Sequence, residues 1–480
     1  MNKFFRTSLI LAVVAMMVVA SAPAITRAAP ATVRIYVGIG TGYREDQVPQ
    51  QQTLEKEWNA QHPDLQIKFD FIDHNTARDV LLTQVAGDNP PDIVGPIGIR
   101  GIYEIPQVFA DLNPFISKDK AGLKLDEYDE ATLKMFEDAG GKNLSLALGV
   151  YPAFLLVNEE IFKAAEVPLP PKEPGAMYKD KDGKEVVWDW DALAAVAKAV
   201  TSDKNGTYAD EDGFDPKNIV NYGFANYWMN LRPVMLQFGA EDAGIAKDGK
   251  TATFNQKAML TAMTWYQNAI FKDHSVPDVA GQNAIDAGGT SPFESGRVGM
   301  WHSPSWYTCC MAKATFKWGN YAIPAVPGTN GKQIVGAVHA DTFAMVEKGK
   351  NKDAAWEVLK WLNSSEIASR LCKAYGCMPA RKTARAAWEK EITDKFPTLD
   401  LKALYAALPY QDRPNNESWL PNYPQAFDAG EAFWTNVRTD PNLDLVKAIE
   451  QLNQTEQGIF QGKFPPTPTR LRRRPSNCID

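Results

Sequence analysis

The sequence predicts an α/β fold built on a parallel, doubly wound sheet, and two observations support that prediction. Between residues 33 and 94, three short segments with β-strand patterning alternate with two helical segments, which is the order of a parallel sheet with crossover helices. The chain has 480 residues, which is too many for one hydrophobic core. We therefore expect two or three domains of this class.

The N-terminal elements follow one another closely. The predicted order is a strand at 33–37, a helix around Leu54 and Trp58, a strand at 66–72, a helix at 80–86 and a strand at 91–94. In sheets of this kind, ligands gather at loops beyond the carboxyl ends of the strands. Here those loops are 38–44 and 95–100.

Further along, residues 146–150 and 153–157 flank Tyr151 and Pro152, and this pattern predicts a strand that bends as it crosses between lobes. An Asp-Gly turn at 182–183 predicts a hairpin within 179–187. Three later segments show apolar residues at helical spacing, which is typical of the buried face of a helix. They lie at 193–200, 259–270 and 353–362.

The N-terminus has the pattern of an export signal. Lys3 and Arg6 precede an apolar run at 9–20, and small residues suitable for cleavage follow, so we predict a signal peptide at 1–28. The run is shorter than the ~20 residues that span a bilayer, although an uncleaved anchor stays an alternative. No cysteine follows it closely, so lipid attachment is not expected. The proline- and arginine-rich tail at 465–480 is predicted to be disordered.

Charge and composition favour a neutral ligand. The formal net charge is −7, and removing the basic residues of the leader would make it about −10. A mildly acidic exported chain is a poor match for nucleic acid or for an anionic membrane surface. No cofactor is indicated by any motif. A soluble protein that handles neutral solutes fits these values.

Five cysteines remain in the exported part, where disulfides are permitted. Cys372 and Cys377 enclose four residues, so a bridge between them would close a tight local loop. Cys309 and Cys310 are adjacent, and a bridge within such a pair is strained, which leaves cross-pairing open. The partner of Cys478 is also open. Zinc is disfavoured because no histidine lies at ligand spacing.

Several blocks occur in the order found in one protein family. They are PDIV at 91–94, FADLNP at 109–114, NEEIF at 158–162, FESGRVGM at 293–300 with Trp306, KNKDAAWE at 350–357 and GCMPAR at 376–381. Together they resemble the maltose-binding-like branch of family 1 extracellular solute-binding proteins, the sugar receptors of ABC importers. One departure is Leu156-Val157-Asn158, where the family usually has Tyr-Asn, so one aromatic ligand contact is expected to be missing.

The resemblance implies two doubly wound α/β lobes, of the type II periplasmic binding protein kind, with a ligand cleft between them. It places lobe 1 at 32–150 plus 337–373 and lobe 2 at 151–336 plus 374–464. It also implies a monomeric, non-enzymatic receptor in the periplasm or on the outer face of the cytoplasmic membrane. The implied partners are a carbohydrate and the transmembrane subunits of an ABC permease.

Sugar binding needs aromatic faces that stack on the ring and planar polar groups that bind paired hydroxyls. Candidates lie in predicted loops, at strand ends and near the two crossings. They are Tyr43, Arg44, Asp46, Arg100, Tyr151, Trp228, Trp301, Trp306, Tyr307, His339, Asp341, Trp419 and Tyr423. Trp306 is the strongest aromatic candidate, since it follows a predicted strand at 298–301 in a loop shaped by glycine and proline.

These residues leave two other functions open. A receptor for a polyamine, a phosphodiester or a metal chelate stays open, and so does a secreted glycosidase, because sequence alone cannot exclude a carboxylate pair. No zinc-protease or serine-hydrolase motif is present. The glycines at 38–42 lack P-loop spacing, and the acidic stretch at 203–215 departs from EF-hand spacing, so we interpret it as turns.

Overall fold

The structure is a computed structural model that describes residues 30–226, 230–287, 292–311, 314–413 and 415–464. Its N-terminal part alternates strands and helices. The elements are β1 (Ala31–Val37), α1 (Val48–Gln61), β2 (Leu65–Phe71), α2 (His74–Ala86), β3 (Ile93–Gly98), α3 (Ile99–Glu104), α4 (Asn113–Lys118), α5 (Lys120–Leu123), α6 (Glu130–Leu133) and β4 (Leu146–Asn158). β1 pairs in parallel with β2 and with β3, which confirms the predicted parallel arrangement.

The middle of the chain adds a second group of strands and helices. The elements are α7 (Glu159–Ala164), β5 (Met177–Lys179), β6 (Glu185–Val187), α8 (Trp190–Val200), β7 (Ser202–Asp203), β8 (Ile219–Ala225), α9 (Leu231–Gln237), α10 (Lys257–Phe271), α11 (Val279–Asp286), β9 (Val298–Pro304) and β10 (Trp318–Tyr321). β5 and β6 form the predicted hairpin. A 3-10 helix, Ser305–Met311, follows β9 directly.

The C-terminal part returns to the sheet and then becomes helical. The elements are β11 (Val338–Met345), α12 (Lys352–Leu362), α13 (Ser365–Tyr375), β12 (Met378–Pro379), α14 (Arg385–Lys395), α15 (Leu401–Ala406), α16 (Tyr423–Thr439) and α17 (Leu445–Phe460). β11 lies between β3 and β4 and is antiparallel to both. The sheet is therefore mixed rather than wholly parallel.

One long strand connects the two halves of the sheet, whose order is β2-β1-β3-β11-β4-β9-β8-β7. Residues 146–152 of β4 pair with β11, and residues 153–157 pair with β9. All thirteen residues of β4 are buried. The strand thus changes partners at the Pro152–Ala153 step, where the sequence predicts a crossing.

The buried side chains form two large clusters. One includes Val33, Ile35 and Phe343 of the β1–β3–β11 half, and the other includes Leu193 and Met263 on α8 and α10. Leu193 and Met263 belong to the apolar stripes that the helical spacing predicts, and Val33 and Ile35 belong to the predicted first strand. The result is the α/β class that the sequence predicts, with helices packed on a sheet.

The predicted signal peptide at 1–28 and the predicted disordered tail at 465–480 lie outside the described residues. Both stay predictions. Within the described ranges, no helix is both long and apolar enough to cross a membrane.

Candidate ligand-binding cleft

Trp306 contacts His339 beside the point where β4 changes partners. The indole Nε1–H of Trp306, on the 3-10 helix, donates to His339 Nδ1 on β11 at 3.1 Å. On the other side of the imidazole, His339 Nε2 lies 3.6 Å from Glu417 Oε1. The side chains of His339 and Glu417 are 17% and 13% exposed, so both remain within reach of a solute.

Asp341 and Tyr151 meet one pleat further along the same strands. The Tyr151 hydroxyl on β4 donates to Asp341 Oδ2 on β11 at 2.9 Å. Burial raises the pKa of Asp341 to about 6, and the charge of Glu417 adds to this, while the Tyr151 hydrogen bond and His339 oppose it. Asp341 is half-buried and able to accept a hydrogen bond from a ligand hydroxyl.

The loop that carries Glu417 is held rigidly against β11. Asp412 accepts hydrogen bonds from the backbone N–H of Val338 at 3.1 Å and of Asn416 at 2.7 Å. Asn415 Nδ2 donates to the Val338 carbonyl at 2.9 Å. The loop therefore meets β11 at the residue directly before His339.

Arg232 fastens the same loop from α9. Its Nη1 donates to the carbonyls of Asn416 at 2.6 Å and of Ser418 at 2.7 Å, and its Nε donates to the Ala243 carbonyl at 2.5 Å. Arg232 is only 6% exposed. Because it binds the carbonyls on both sides of Glu417, it fixes the backbone from which Glu417 projects.

Arg100, on α3, interacts with the charges of Glu104, Tyr423 and Glu417. Its Nε forms an ion pair with Glu104 at 2.8 Å, and its guanidinium lies 3.9 Å from the centre of the Phe427 ring. Burial lowers the pKa of Arg100, but the charges of Glu104, Tyr423 and Glu417 more than offset it and raise the pKa overall. Burial and the charge of Glu417 raise the pKa of Tyr423.

Six of the predicted residues interact with Glu417 or with its neighbours on β11, and the sequence did not single out Glu417. Hydrogen bonds and a close polar contact with Glu417 involve Tyr151, Trp306, His339 and Asp341, whereas Arg100 and Tyr423 interact with the charge of Glu417. We call this group the cleft cluster: Arg100, Tyr151, Trp306, His339, Asp341, Glu417 and Tyr423. Its members include aromatic rings, carboxylates and a guanidinium, which are the groups that bind a polyhydroxylated solute.

Other predicted residues lie elsewhere. Tyr43, in the loop after β1, stacks on His74 with ring centres 5.1 Å apart. Arg44 forms an ion pair with Asp46 at 2.8 Å, and the hydrogen bond from Arg44 lowers the pKa of Asp46. Trp228 lies outside the described residues.

Trp301 and Tyr307 are 0% exposed and stack on each other with ring centres 5.1 Å apart. Their rings therefore present no surface to a solute in this conformation and pack behind Trp306. Trp419 is half-buried over Gly249, where an added Cβ would lie 3.2 Å from the indole.

Sequence reasoning missed Glu417 and Arg232. Glu417 sits between Asn415 and Trp419 in a polar loop, where a carboxylate is ordinarily solvated. Arg232 is the one charged residue in the apolar helix LRPVMLQ. A lone arginine within an apolar helix is a signal for a buried, partnered charge, and it could have indicated this site.

Cys372 and Cys377 form a disulfide in the structure, with their Cα atoms 4.6 Å apart. The disulfide packs directly on the backbone of β4, because a Cβ at Gly149 would lie 2.9 Å from Cys372 Sγ. β12 then pairs with Val150 and Gly149, next to the β4 crossing. The side chains of Cys309 and Cys310, and all of Cys478, lie outside the described part.

The acidic stretch at 203–215 forms turns. The Asp203 carboxylate accepts hydrogen bonds from the backbone N–H groups of Asn205, Thr207 and Asp215. In the part of the chain that the structure describes, no group of three or more potential metal ligands occurs.

The FESGRVGM block is structural. Gly296 has φ +75°, a conformation suited to glycine, and its N–H donates to the Phe293 carbonyl at 3.0 Å in a tight turn. Met300 is buried in the core. Ser295 and Gly296 also line a separate cavity of about 350 Å³ together with Asn158 and Tyr208.

About two thirds of the chain matches one known protein family. Residues 44–368 match the family model described as bacterial extracellular solute-binding protein. The chain belongs to the bacterial extracellular solute-binding proteins. Membership implies that this solute-binding protein is exported. It is 23% identical over 366 residues to binding proteins of Brucella abortus and Brucella suis, which covers 75% of this chain and 78% of theirs.

Solved structures of other solute-binding proteins share the fold. An ABC substrate-binding protein from Listeria monocytogenes in complex with cycloalternan is 18% identical with a TM-score of 0.68, covering 90% of this chain and 99% of that one. The cyclic α-maltosyl-1,6-maltose binding protein from Arthrobacter globiformis is 17% identical with a TM-score of 0.67, covering 90% and 100%. These likenesses confirm the predicted fold.

Proposed function

We propose that this solute-binding protein is the receptor of an ABC importer and binds a sugar or oligosaccharide at the cleft cluster. The observation that supports this most is the half-buried Trp306 beside the partly exposed His339, Glu417 and Asp341. An indole face can stack on the C–H surface of a sugar ring while neighbouring carboxylates bind its hydroxyls.

Several structurally similar proteins bind carbohydrates, which include cycloalternan, maltotriose and mannotriose. This agreement supports a sugar rather than a polyamine or phosphodiester. The acidic groups of the cleft cluster argue against a phosphodiester, because carboxylates would repel its negative charge.

We further propose that the ligand holds two lobes closed around it, with lobe 1 at 32–150 plus 337–373 and lobe 2 at 151–336 plus 374–464. The change of partner along β4 near Pro152 supports this division. The permease would then recognise the closed surface, and the protein would act as a monomer without making or breaking a bond. Such a receptor would work in the periplasm or on the outer face of the cytoplasmic membrane.

A thermal-unfolding screen tests the proposal with five sugars: cycloalternan, maltotriose, mannotriose, D-tagatose and acarbose. We expect at least one sugar to raise the unfolding temperature saturably. A sugar concentration of about one hundred times Kd adds about 2.7 kcal/mol to the free energy of unfolding. Chromatography of the recovered sugar is the control for enzymatic action. Cleavage products would contradict a receptor, and the absence of any stabilisation would contradict sugar binding.

A further inference from the structure

We propose that His339 and Glu417 are positioning residues that hold the indole of Trp306 in its ligand-binding orientation. Two contacts connect these side chains one after the other. Trp306 Nε1 donates to His339 Nδ1 at 3.1 Å, and His339 Nε2 lies 3.6 Å from Glu417 Oε1. The inference rests on the proposed function, because it assigns Trp306 the ligand-facing role.

The contact with Trp306 fixes the tautomer of His339. An indole N–H only donates, so His339 Nδ1 must accept and cannot carry a proton. The proton of the neutral imidazole then lies on Nε2, which faces the Glu417 carboxylate. Glu417 therefore stabilises the tautomer that accepts from Trp306, in the way that second partners orient imidazole rings elsewhere.

The position of Glu417 is itself fixed from two directions. Arg232 binds the carbonyls on both sides of it, at Asn416 and Ser418. Asp412 and Asn415 connect the same loop to Val338, the residue before His339. Glu417 and His339 are thus held at a constant separation by buried hydrogen bonds rather than by their own contact alone.

The position of Trp306 explains why a restraint on its indole would help binding. It sits on a short 3-10 helix, is half-buried, and is tilted by 58° against Tyr307 with ring centres 6.1 Å apart. A half-buried indole can adopt several rotamers, and ordering it on binding would weaken affinity. A hydrogen bond formed before the ligand arrives removes that loss.

The first measurement follows the indole N–H directly and needs no sugar. In protein labelled with ¹⁵N at tryptophan, Trp306→Phe identifies the Trp306 Nε1–H signal by its loss. We expect His339→Leu to move this signal and His339→Asn to restore it towards its original position, because Asn Oδ1 can accept where Nδ1 does. In unsubstituted protein labelled with ¹⁵N at both tryptophan and histidine, a coupling across the hydrogen bond between Trp306 Nε1 and His339 Nδ1 makes the same test without a variant.

The second measurement is a double-mutant cycle with the most stabilising of the five sugars. Trp306→Phe keeps the aromatic face and removes the donor, and His339→Leu removes the acceptor. We expect each to weaken affinity about fivefold, which corresponds to one hydrogen bond, and the double variant to be no weaker than the weaker single one. Glu417→Gln, which keeps a polar oxygen facing Nε2, should lose less than Glu417→Leu.

An indole signal that does not move in His339→Leu, or the absence of the coupling across the hydrogen bond, would overturn the proposal. Losses that add in the double variant would also overturn it, because His339 would then act on the sugar independently of Trp306. If none of the five sugars binds, the proposed function fails, while the spectra still decide whether His339 holds Trp306. If His339→Leu does not fold, the coupling and the His339→Asn spectrum decide the question.

Discussion

At the scale of single residues, one carboxyl group of the cleft cluster and one beside it lie where burial opposes their charge. Burial raises the pKa of Asp341, in the cluster, to about 6, and it also raises to about 6 the pKa of Asp412, which holds the loop that carries Glu417. Both values lie above the ordinary 3.8 of an unfolded chain. The folded protein therefore binds more protons than the unfolded chain in the interval between them.

This difference gives a pH dependence with a definite sign. Because the folded-state pKa of Asp341 is raised, its contribution to stability is present below pH 4 and is lost as the pH rises through about 6. We expect Asp341→Asn to make the fall in the free energy of unfolding between about pH 4.5 and 6.5 shallower, while Asp412, whose pKa is raised as well, keeps its own part of that fall. Urea unfolding at a series of pH values measures it.

Asp215→Asn is the matched control for the pH series. The hydrogen bond from Asn218 lowers the pKa of Asp215, so that carboxylate titrates below pH 4 and its replacement leaves the slope between about pH 4.5 and 6.5 unchanged. If the slope is the same in Asp341→Asn as in the unsubstituted protein, the pKa of Asp341 is not raised in the folded state.

The neighbouring sequence predicts some residues of the site correctly and others wrongly. Trp306 and His339 flank a predicted strand end and a crossing, and they meet in the structure. Trp301, five residues before Trp306, has the same composition around it but lies fully buried. Which aromatic of a neighbouring pair faces outward depends on tertiary packing that no short segment encodes.

At the scale of elements, the contact between the loop at 415–420 and β11 is the part of the site that the sequence does not show. The conformation of that loop depends on Arg232, which lies almost two hundred positions away in the chain. Strands with period-2 patterning, such as β1 and β2, were predicted close to their observed bounds. β11, which inserts between β3 and β4, was not recognised as a strand, because its pairing partners lie far off in sequence.

The loop gives a prediction about stability. Arg232→Met should lower the free energy of unfolding by about 1–3 kcal/mol, because three backbone carbonyls lose a buried donor. Arg297→Met is the matched control: Arg297 also donates to backbone carbonyls, those of Val220 and Ile219, but its side chain is only half-buried. We expect the control to change stability by less than about 0.5 kcal/mol. Equal losses in chemical denaturation would contradict the account of the loop.

The disulfide gives a second prediction at this scale. Alkylation of native, unreduced protein should leave Cys372 and Cys377 unmodified, and peptide mapping after reduction should find both modified. Replacing both cysteines by alanine should lower the free energy of unfolding by about 2 kcal/mol, as expected for a short closed loop. Alkylation of both cysteines in the native, unreduced protein would contradict the bridge.

At the scale of the whole molecule, the fold could be predicted because its signals are repeated along the chain. Alternating strands and helices give the α/β class, and the ordered motif blocks give the family, which the match at 44–368 confirms. The continuity of β4 through both halves of the sheet follows from its thirteen buried residues. The ligand is encoded by only a few side chains from distant segments, so the sequence leaves its identity open.

The most direct test of the central claim is isothermal titration calorimetry with the sugar that stabilises the protein most. We compare the unsubstituted protein, Trp306→Ala, and Trp361→Ala as the control. Trp361 is also half-buried but packs against Trp58, with ring centres 4.8 Å apart, on α12 and α1. The unsubstituted protein and both variants are first checked for cooperative thermal unfolding.

The account predicts saturable one-to-one binding of a sugar that is recovered unchanged. It predicts that Trp306→Ala weakens affinity at least about tenfold, since stacking on an aromatic ring contributes on the order of 0.5–1.5 kcal/mol beyond the area it buries. Trp361→Ala should bind as the unsubstituted protein does. Unchanged affinity in a folded Trp306→Ala variant would contradict the assignment of the cleft cluster as the ligand site.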